Sequence, residues 1–319
     1  MNQILSERIY TMLKAPLKTL KVLLAATLIA IGTAYAADKP LVFVSVTPQK
    51  YLLEKIAGDK VQIEVLVQPG HNPHSYDPTA RQMARLAKAD MLMTTGVPFE
   101  QVWLPRIRRL NTEMAIINTL EGITEQKQNY AVHHDEHTDH GHHEEKAGSE
   151  HHEGHDHKGD DPHVWMDPVK ASAQARIMTR ALKAALPEQA DSFEQNYQLL
   201  AEELEALDHE IHETFENYEG RTFMVFHPAW GHFAARYHLE QVAIEYQGKS
   251  PSARQLVGLS EKAKAENIKV ILVQEQFNQK PAERIAENIG ARVVKADPLP
   301  EDLPKAIREL SQQLLESWQ

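Results

Sequence analysis

The chain has no cysteine among its 319 residues. That absence excludes a disulfide framework, any thiolate metal site and a lipid attached through an N-terminal cysteine. Long apolar runs are almost as scarce: beyond one near the start, no segment approaches the roughly 18 consecutive apolar residues that a membrane-spanning helix needs. Basic charge is also in deficit. Lysine and arginine number 34 against 45 aspartates and glutamates, a formal net charge of −11, which argues against a nucleic-acid partner and suits cationic ligands.

The one early apolar run is "VLLAATLIAIGTA", preceded by Lys14, Lys18 and Lys21 and followed by the small residues "AYA". This is the pattern of a cleavable secretory signal peptide over residues 1–36, with the cut after Ala36. Glu7, Arg8 and the three lysines leave with it, so the exported body carries about −14. Together with the missing cysteine, this predicts a freely diffusing periplasmic protein without a lipid anchor.

Beyond Ala36 the chain alternates between short β-branched runs and amphipathic stretches. "LVFVSV" and "KVQIEVLV" flank the helical "YLLEKIAG", and "YDPTARQMARLAKADMLMTTG" adds a helix, with Asp77 as expected N-cap and Pro78 at its first position, and a further strand. Such alternation predicts parallel sheets with helices on their faces. From Pro168 a long helical region begins, punctuated by Pro187. Phe193, Tyr197, Leu200, Leu204, Leu207, Ile211 and Phe215 recur at spacings of three and four, one apolar stripe on a long helix. After Gly220 the βαβ alternation resumes. The predicted class is α/β, with two lobes joined by a long rigid linking helix. The expected boundaries are 37–167 for the first lobe, 168–219 for the linking helical region and 220–319 for the second lobe.

One tract breaks the alternation. Ten histidines lie between His133 and His157 among Asp, Glu and Gly, with too little apolar surface to offset chain entropy, so a flexible loop is expected over about 132–161. Outside it, three histidines stand near strand or helix ends: His74 in "PGHNPHSYDP", His163 in "DPHVWMDP" and His227 in "FMVFHPAWGHF". Ligands of open α/β sheets sit beyond the carboxyl ends of strands. Neutral imidazole suits zinc, and a cysteine-free site needs several imidazoles with at most one carboxylate. His71, His209, His212, His232 and His238 read as hydrogen-bonded or surface residues.

Four motifs in this order, "PGHNPHSYDP", "DPHVWMDP", "FHPAWGHFAARY" and "EYQGKSPSARQL", resemble the metal-binding solute-binding proteins of ATP-driven (ABC) importers. The histidine-rich tract before "DPH" points to the zinc-uptake branch. The resemblance covers essentially the whole exported chain. It implies a single metal held in the cleft between two lobes and delivered to a membrane permease, by a monomer. Residue by residue it implies His74, His163 and His227 as ligands. Asp297 in "KADPLP" matches the family's fourth position, where an aspartate ligates directly or leaves its place to water. Glu275 in "VQEQF" is expected near the cleft and off the metal. Histidine at 227, where manganese and iron members usually have a carboxylate, favours Zn²⁺ as the transported ligand. Many zinc members have a cysteine pair in the second lobe, and this chain departs from them there. The histidine-rich tract is then expected to act as a weaker, separate metal collector.

The resulting expectation is a non-catalytic protein that captures Zn²⁺ and hands it on. Mn²⁺ or another divalent ion is the nearest alternative, followed by a metal-sequestering adhesin. A zinc hydrolase, with Glu275 as base, would be expected to show an H-E-x-x-H motif, and the chain has none.

Overall fold

A computed structural model describes residues 39–123, 161–245 and 251–319. The expected signal peptide lies outside the described residues, and so does the histidine-rich tract apart from its last residue, Asp161.

The first sheet contains β1 (Leu41–Val44), β2 (Gln62–Val65), β3 (Met91–Thr94) and β4 (Ala115–Asn118), in the order β2-β1-β3-β4 with every pairing parallel. The second contains β5 (Thr222–Val225), β6 (Glu240–Ala243), β7 (Val270–Val273) and β8 (Arg292–Lys295), in the equivalent order β6-β5-β7-β8, again parallel throughout. The central strands "LVFV", "MLMT", "TFMV" and "VILV" are buried along their whole length. Strands covered on both faces require such continuous apolar runs, whereas the edge strands "QIEV" and "RVVK" expose Gln62, Arg292 and Lys295.

In the first lobe, α1 (Thr47–Ala57) joins β1 to β2, α2 (Ala80–Leu86) joins β2 to β3, and α3 (Pro98–Leu110) joins β3 to β4. Right-handed crossovers put α1 on one face of the sheet and α2 and α3 on the other. The start of α2 differs from the sequence expectation. Thr79 is the N-cap: its hydroxyl accepts the Gln82 N–H, and the Gln82 side chain returns to the Thr79 N–H. This reciprocal pair satisfies two orphan donors at once, and Asp77 is used instead to accept the Trp103 indole N–H.

The linking region contains α4 (Pro168–Ala185) and α5 (Ala190–Phe215), separated by a 3₁₀ turn at Pro187–Gln189. Asp167 caps α4 by accepting the Val169 and Lys170 N–H groups. The long helix α5 buries all seven residues of its predicted stripe, against α4, α1 and the C-terminal helix α9 (Leu303–Trp318). The spine is therefore a helical pair, with α4 lying along α5. Its apolar faces join the inward faces of both sheets, through residues such as Phe43, Phe223, Val225 and Leu272, into one continuous core. The second lobe's outward face has its own smaller core, built with α7 (Ala253–Ala265) and α8 (Lys280–Ile289). Between β5 and β6 lies the short α6 (Gly231–Arg236). Among the described residues, no helix is long and apolar enough to cross a membrane.

Arg236 ties α6 to the spine by donating to both carboxylate oxygens of Asp208 on α5, at 2.8 and 2.5 Å. Burial alone would raise the Asp208 pKa, but the Arg236 hydrogen bonds and charge bring it below its ordinary value. A carboxyl depressed in the folded state contributes stability that is present above its unfolded pKa, near 4, and is lost as pH falls through the folded value. Asp208→Asn is thus expected to lower Tm at neutral pH by a few degrees, for about 1 kcal/mol, and to remove this component of the acid dependence below about pH 4. Thermal melts of both proteins from pH 7 to 3 check this; parallel curves would sink it.

Candidate metal centre

The ladder registers decide what surrounds His227. Val225 pairs with Ala243 of β6 and with Leu272 of β7. Two residues beyond those pairs, His227 stands level with Glu245 on one side and Gln274 on the other. The side-chain contacts obey that alignment. The His227 Nδ1–H donates to Glu245 Oε1 at 3.0 Å, the His227 backbone N–H donates to Gln274 Oε1 at 3.2 Å, and Gln274 Nε2 donates to the His227 carbonyl at 2.8 Å. All three residues are buried. Phe277 stacks on the His227 ring with centroids 4.7 Å apart.

His163 is held by a different local device. Asp161 Oδ1 accepts both the His163 backbone N–H, at 3.0 Å, and its Nδ1–H, at 2.6 Å. The next residues form a 3₁₀ turn, Val164–Met166, whose buried Trp165 donates to the Pro298 carbonyl at 2.7 Å and so fixes the segment to the loop after β8. Asp161 is itself enclosed. A β-carbon on Gly231 would lie 2.8 Å from its Oδ2, and the His232 Nε2–H donates to its carbonyl at 2.9 Å while Lys170 Nζ donates to His232 Nδ1 at 2.7 Å.

His74 lies in the loop after β2, its backbone N–H bonded to the Asn72 side chain at 2.8 Å. Its Nε2 is 3.1 Å from His227 Nε2. Ring centroids are 4.6 Å apart for His74 and His227, and 5.5 Å for His163 and His227. Three imidazoles, His74 after β2, His163 in the segment just before α4 and His227 after β5, thus converge.

Burial favours the neutral form of two of these rings, His74 and His227. Burial, reinforced by His227 and His163, brings the His74 pKa down to about 3. Burial also lowers that of His227, against the pull of Glu245. For Asp161, burial acts upward, but the His163 ring and N–H hold it at about 2. Neutral imidazole is the metal-binding form, and a carboxylate on Nδ1 fixes the ring and leaves Nε2 for the ion.

The other two expected residues are placed differently. Asp297 is exposed and its Oδ1 accepts the Leu299 N–H at 2.9 Å. Glu275, also exposed, pairs with Lys295 at 2.6 Å. Among the described residues, no group of three or more His, Cys, Asp or Glu side chains is arranged so that it could hold a metal ion. Asp161, Glu245 and Gln274 were missed by sequence reasoning. "DDPH" contained a signal for Asp161, since an aspartate two residues before a histidine can accept its N–H. Glu245 and Gln274 needed the strand register.

Two parallel α/β lobes of one topology on a helical spine, with imidazoles meeting between them, define a two-lobed α/β protein. The chain belongs to the ZnuA family, described as "Zinc-uptake complex component A periplasmic", whose profile matches residues 42–316. It is 30% identical over 281 residues to the zinc-binding lipoprotein AdcA of Streptococcus pneumoniae serotype 4, an alignment covering 87% of this chain and 54% of that protein. The chain therefore spans about half the length of the curated relatives it matches. Among solved structures it is similar to a crystal structure of ZnuA, with 33% identity, a TM-score of 0.76 and coverage of 88% of this chain and 99% of that one. A ZnuA variant lacking its residues 138–173, with zinc bound, matches at 32% identity and the same TM-score, covering 88% of this chain and 98% of that one.

These relatives correct one expectation. A freely diffusing, unanchored periplasmic protein was predicted from the absence of cysteine, yet AdcA is named a lipoprotein in two strains of Streptococcus pneumoniae. Missing cysteine removes one attachment chemistry. It does not establish a location away from the membrane for a member of this family, and the free location is withdrawn.

The carboxylates on Nδ1 carry a direct expectation. Asp161→Asn and Glu245→Gln, which keep size and remove charge, should each weaken divalent-metal affinity about 10- to 100-fold while leaving far-UV circular dichroism unchanged. Isothermal titration with a divalent metal salt measures it. Unaltered affinity in both variants would mean that these contacts serve packing alone.

Proposed function

We propose that this protein captures a Zn²⁺ ion between its lobes at His74, His163 and His227 and hands it, chemically unchanged, to the membrane permease of an ATP-driven importer. The observation that carries this reading is the pair of buried carboxylate–imidazole hydrogen bonds, Asp161 to His163 and Glu245 to His227, which engage Nδ1 of both rings and leave the Nε2 atoms on the side where the rings converge. Three imidazoles and one further oxygen donor make the tetrahedral nitrogen-rich set that zinc prefers. Asp297 is our candidate for that fourth donor, and ligation would exchange its hydrogen bond to Leu299 for the metal; water is the alternative. Membership in the ZnuA family and likeness to zinc-binding relatives support zinc as cargo and a permease as partner. The same membership goes with transport without catalysis.

Competition for Zn²⁺ against a chromophoric chelator tests the site. The protein should bind one ion tightly, and His163→Ala and His227→Ala should each weaken that site by a hundredfold or more, because a lost ligand leaves an incomplete sphere. Asp297→Ala should have a smaller effect if water replaces it. Deleting residues 133–157 should leave the tight site intact. Tight binding that survives His163→Ala and disappears with the deletion would overturn the assignment.

A further inference from the structure

Helices α3 and α5 are opposite in charge, while α4, beside α5, carries Lys170, Arg176, Arg180 and Lys183 and no acid. On the spine side, α5 has eight carboxylates and no lysine or arginine. Four of these, Glu194, Glu203, Asp208 and Glu210, are paired with Lys183, Lys55, Arg236 and Arg308, and the rest face outward. On the other side of the sheet, α3 reads "PFEQVWLPRIRRL". Its single acid, Glu100, is buried and turned inward, accepting the Thr95 and Gly96 N–H groups at 2.9 Å.

The outward stripe of α3 is Val102, Pro105, Arg106 and Arg109, at the spacing of one helix face, with Arg108 beside it; all are exposed, Val102 by 73%. Among the described residues, none of the three arginines is in an ion pair; Arg106 lies over the half-buried Trp103 ring, 5.0 Å from its centroid. The adjoining α2 contributes Arg81 and is followed by Lys88, both exposed and outside any ion pair among the described residues. The nearby carboxylates Asp77 and Asp90 accept hydrogen bonds from Trp103 and the Leu41 N–H, and Glu113 lies just past the end of the helix. An unpaired arginine stripe with an exposed valine and a tryptophan beneath it combines a cationic face with apolar side chains able to enter a headgroup region.

We infer that the outer face of α3, with Arg81 and Lys88 of the neighbouring segment, docks on an anionic phospholipid surface. The chain from Ala37 onward, with a net charge of about −14, is repelled by such a surface as a whole. Within a Debye length of about 10 Å, however, the bilayer meets only the basic patch. The acidic α5 lies across the sheet from that patch, so its charge favours an orientation with α3 toward the lipid and α5 away from it. This inference goes beyond metal capture and does not rest on it.

Vesicle co-sedimentation of the chain from Ala37 onward, which retains the whole compact unit Pro40–Gln319, tests the proposal. Binding is expected to phosphatidylcholine vesicles containing about 30% phosphatidylglycerol at low ionic strength, with none to pure phosphatidylcholine and release by about 0.5 M salt. The triple variant Arg106→Ser, Arg108→Ser, Arg109→Ser should bind on the order of a hundredfold more weakly. Lys264→Ser, Lys269→Ser, Lys280→Ser, an equal charge change in the second lobe, should bind like the parent. Val102→Asp, a single exposed change, should weaken binding even if the triple variant proves unstable. No binding to anionic vesicles, equal binding by the α3 variants, or an equal fall in both triple variants would each overturn the proposal, the first in favour of an acidic protein partner or none.

Discussion

The structure depends on keeping the ends of three parallel strands level. His227, Glu245 and Gln274 are all buried at the carboxyl edge of the second sheet, and each would lose several kcal/mol of hydration there without a partner. Their mutual hydrogen bonds exist because β5 lies between β6 and β7 in one register, and a slip of one residue would turn the side chains to opposite faces. That register requires a parallel sheet covered on both sides, which in turn requires the spine on one face and α7 with α8 on the other. The site is thus a consequence of the core.

The same reasoning separates what could be read in the sequence from what could not. Continuous apolar strands and the stripe from Phe193 to Phe215 encode local periodicity, and both were legible. Pro187 was visible as a break, but the packing of α4 along α5 depends on Ala171, Ala175, Met178 and Leu182 meeting a partner face. The histidines could be singled out by their neighbours and by resemblance. Glu245 and Gln274 could not, because each is 18 or more residues from His227 in sequence and approaches it only through strand pairing. Asp77 was an eligible cap, and it lost that place because Thr79 and Gln82 satisfy two backbone donors together while Trp103 needs an acceptor.

Hydrogen bonding also fixes the proton positions at the converging rings. A carboxylate only accepts, so the contact with Glu245 places the His227 proton on Nδ1 and leaves Nε2 as a lone-pair acceptor. The 3.1 Å contact between the two Nε2 atoms then requires His74 to carry its proton on Nε2. His74 is therefore bound to the second lobe through the atom it would offer to an ion.

For His74 to ligate through Nε2, that proton must move to Nδ1 or leave the ring, whereas His163 and His227 already have the ligating tautomer. The cost falls on the histidine that comes from a loop, has no carboxylate contact on its ring among the described residues and is the least buried of the three. The two rings held by buried carboxylates form a fixed half of the site, and His74 is the adjustable half. The hydrogen bond between Nε2 atoms is then the contact an arriving cation has to replace. Burial lowers the pKa of both rings, that of His74 to about 3, so that exchange is favoured by the neutral imidazole form that binds metal.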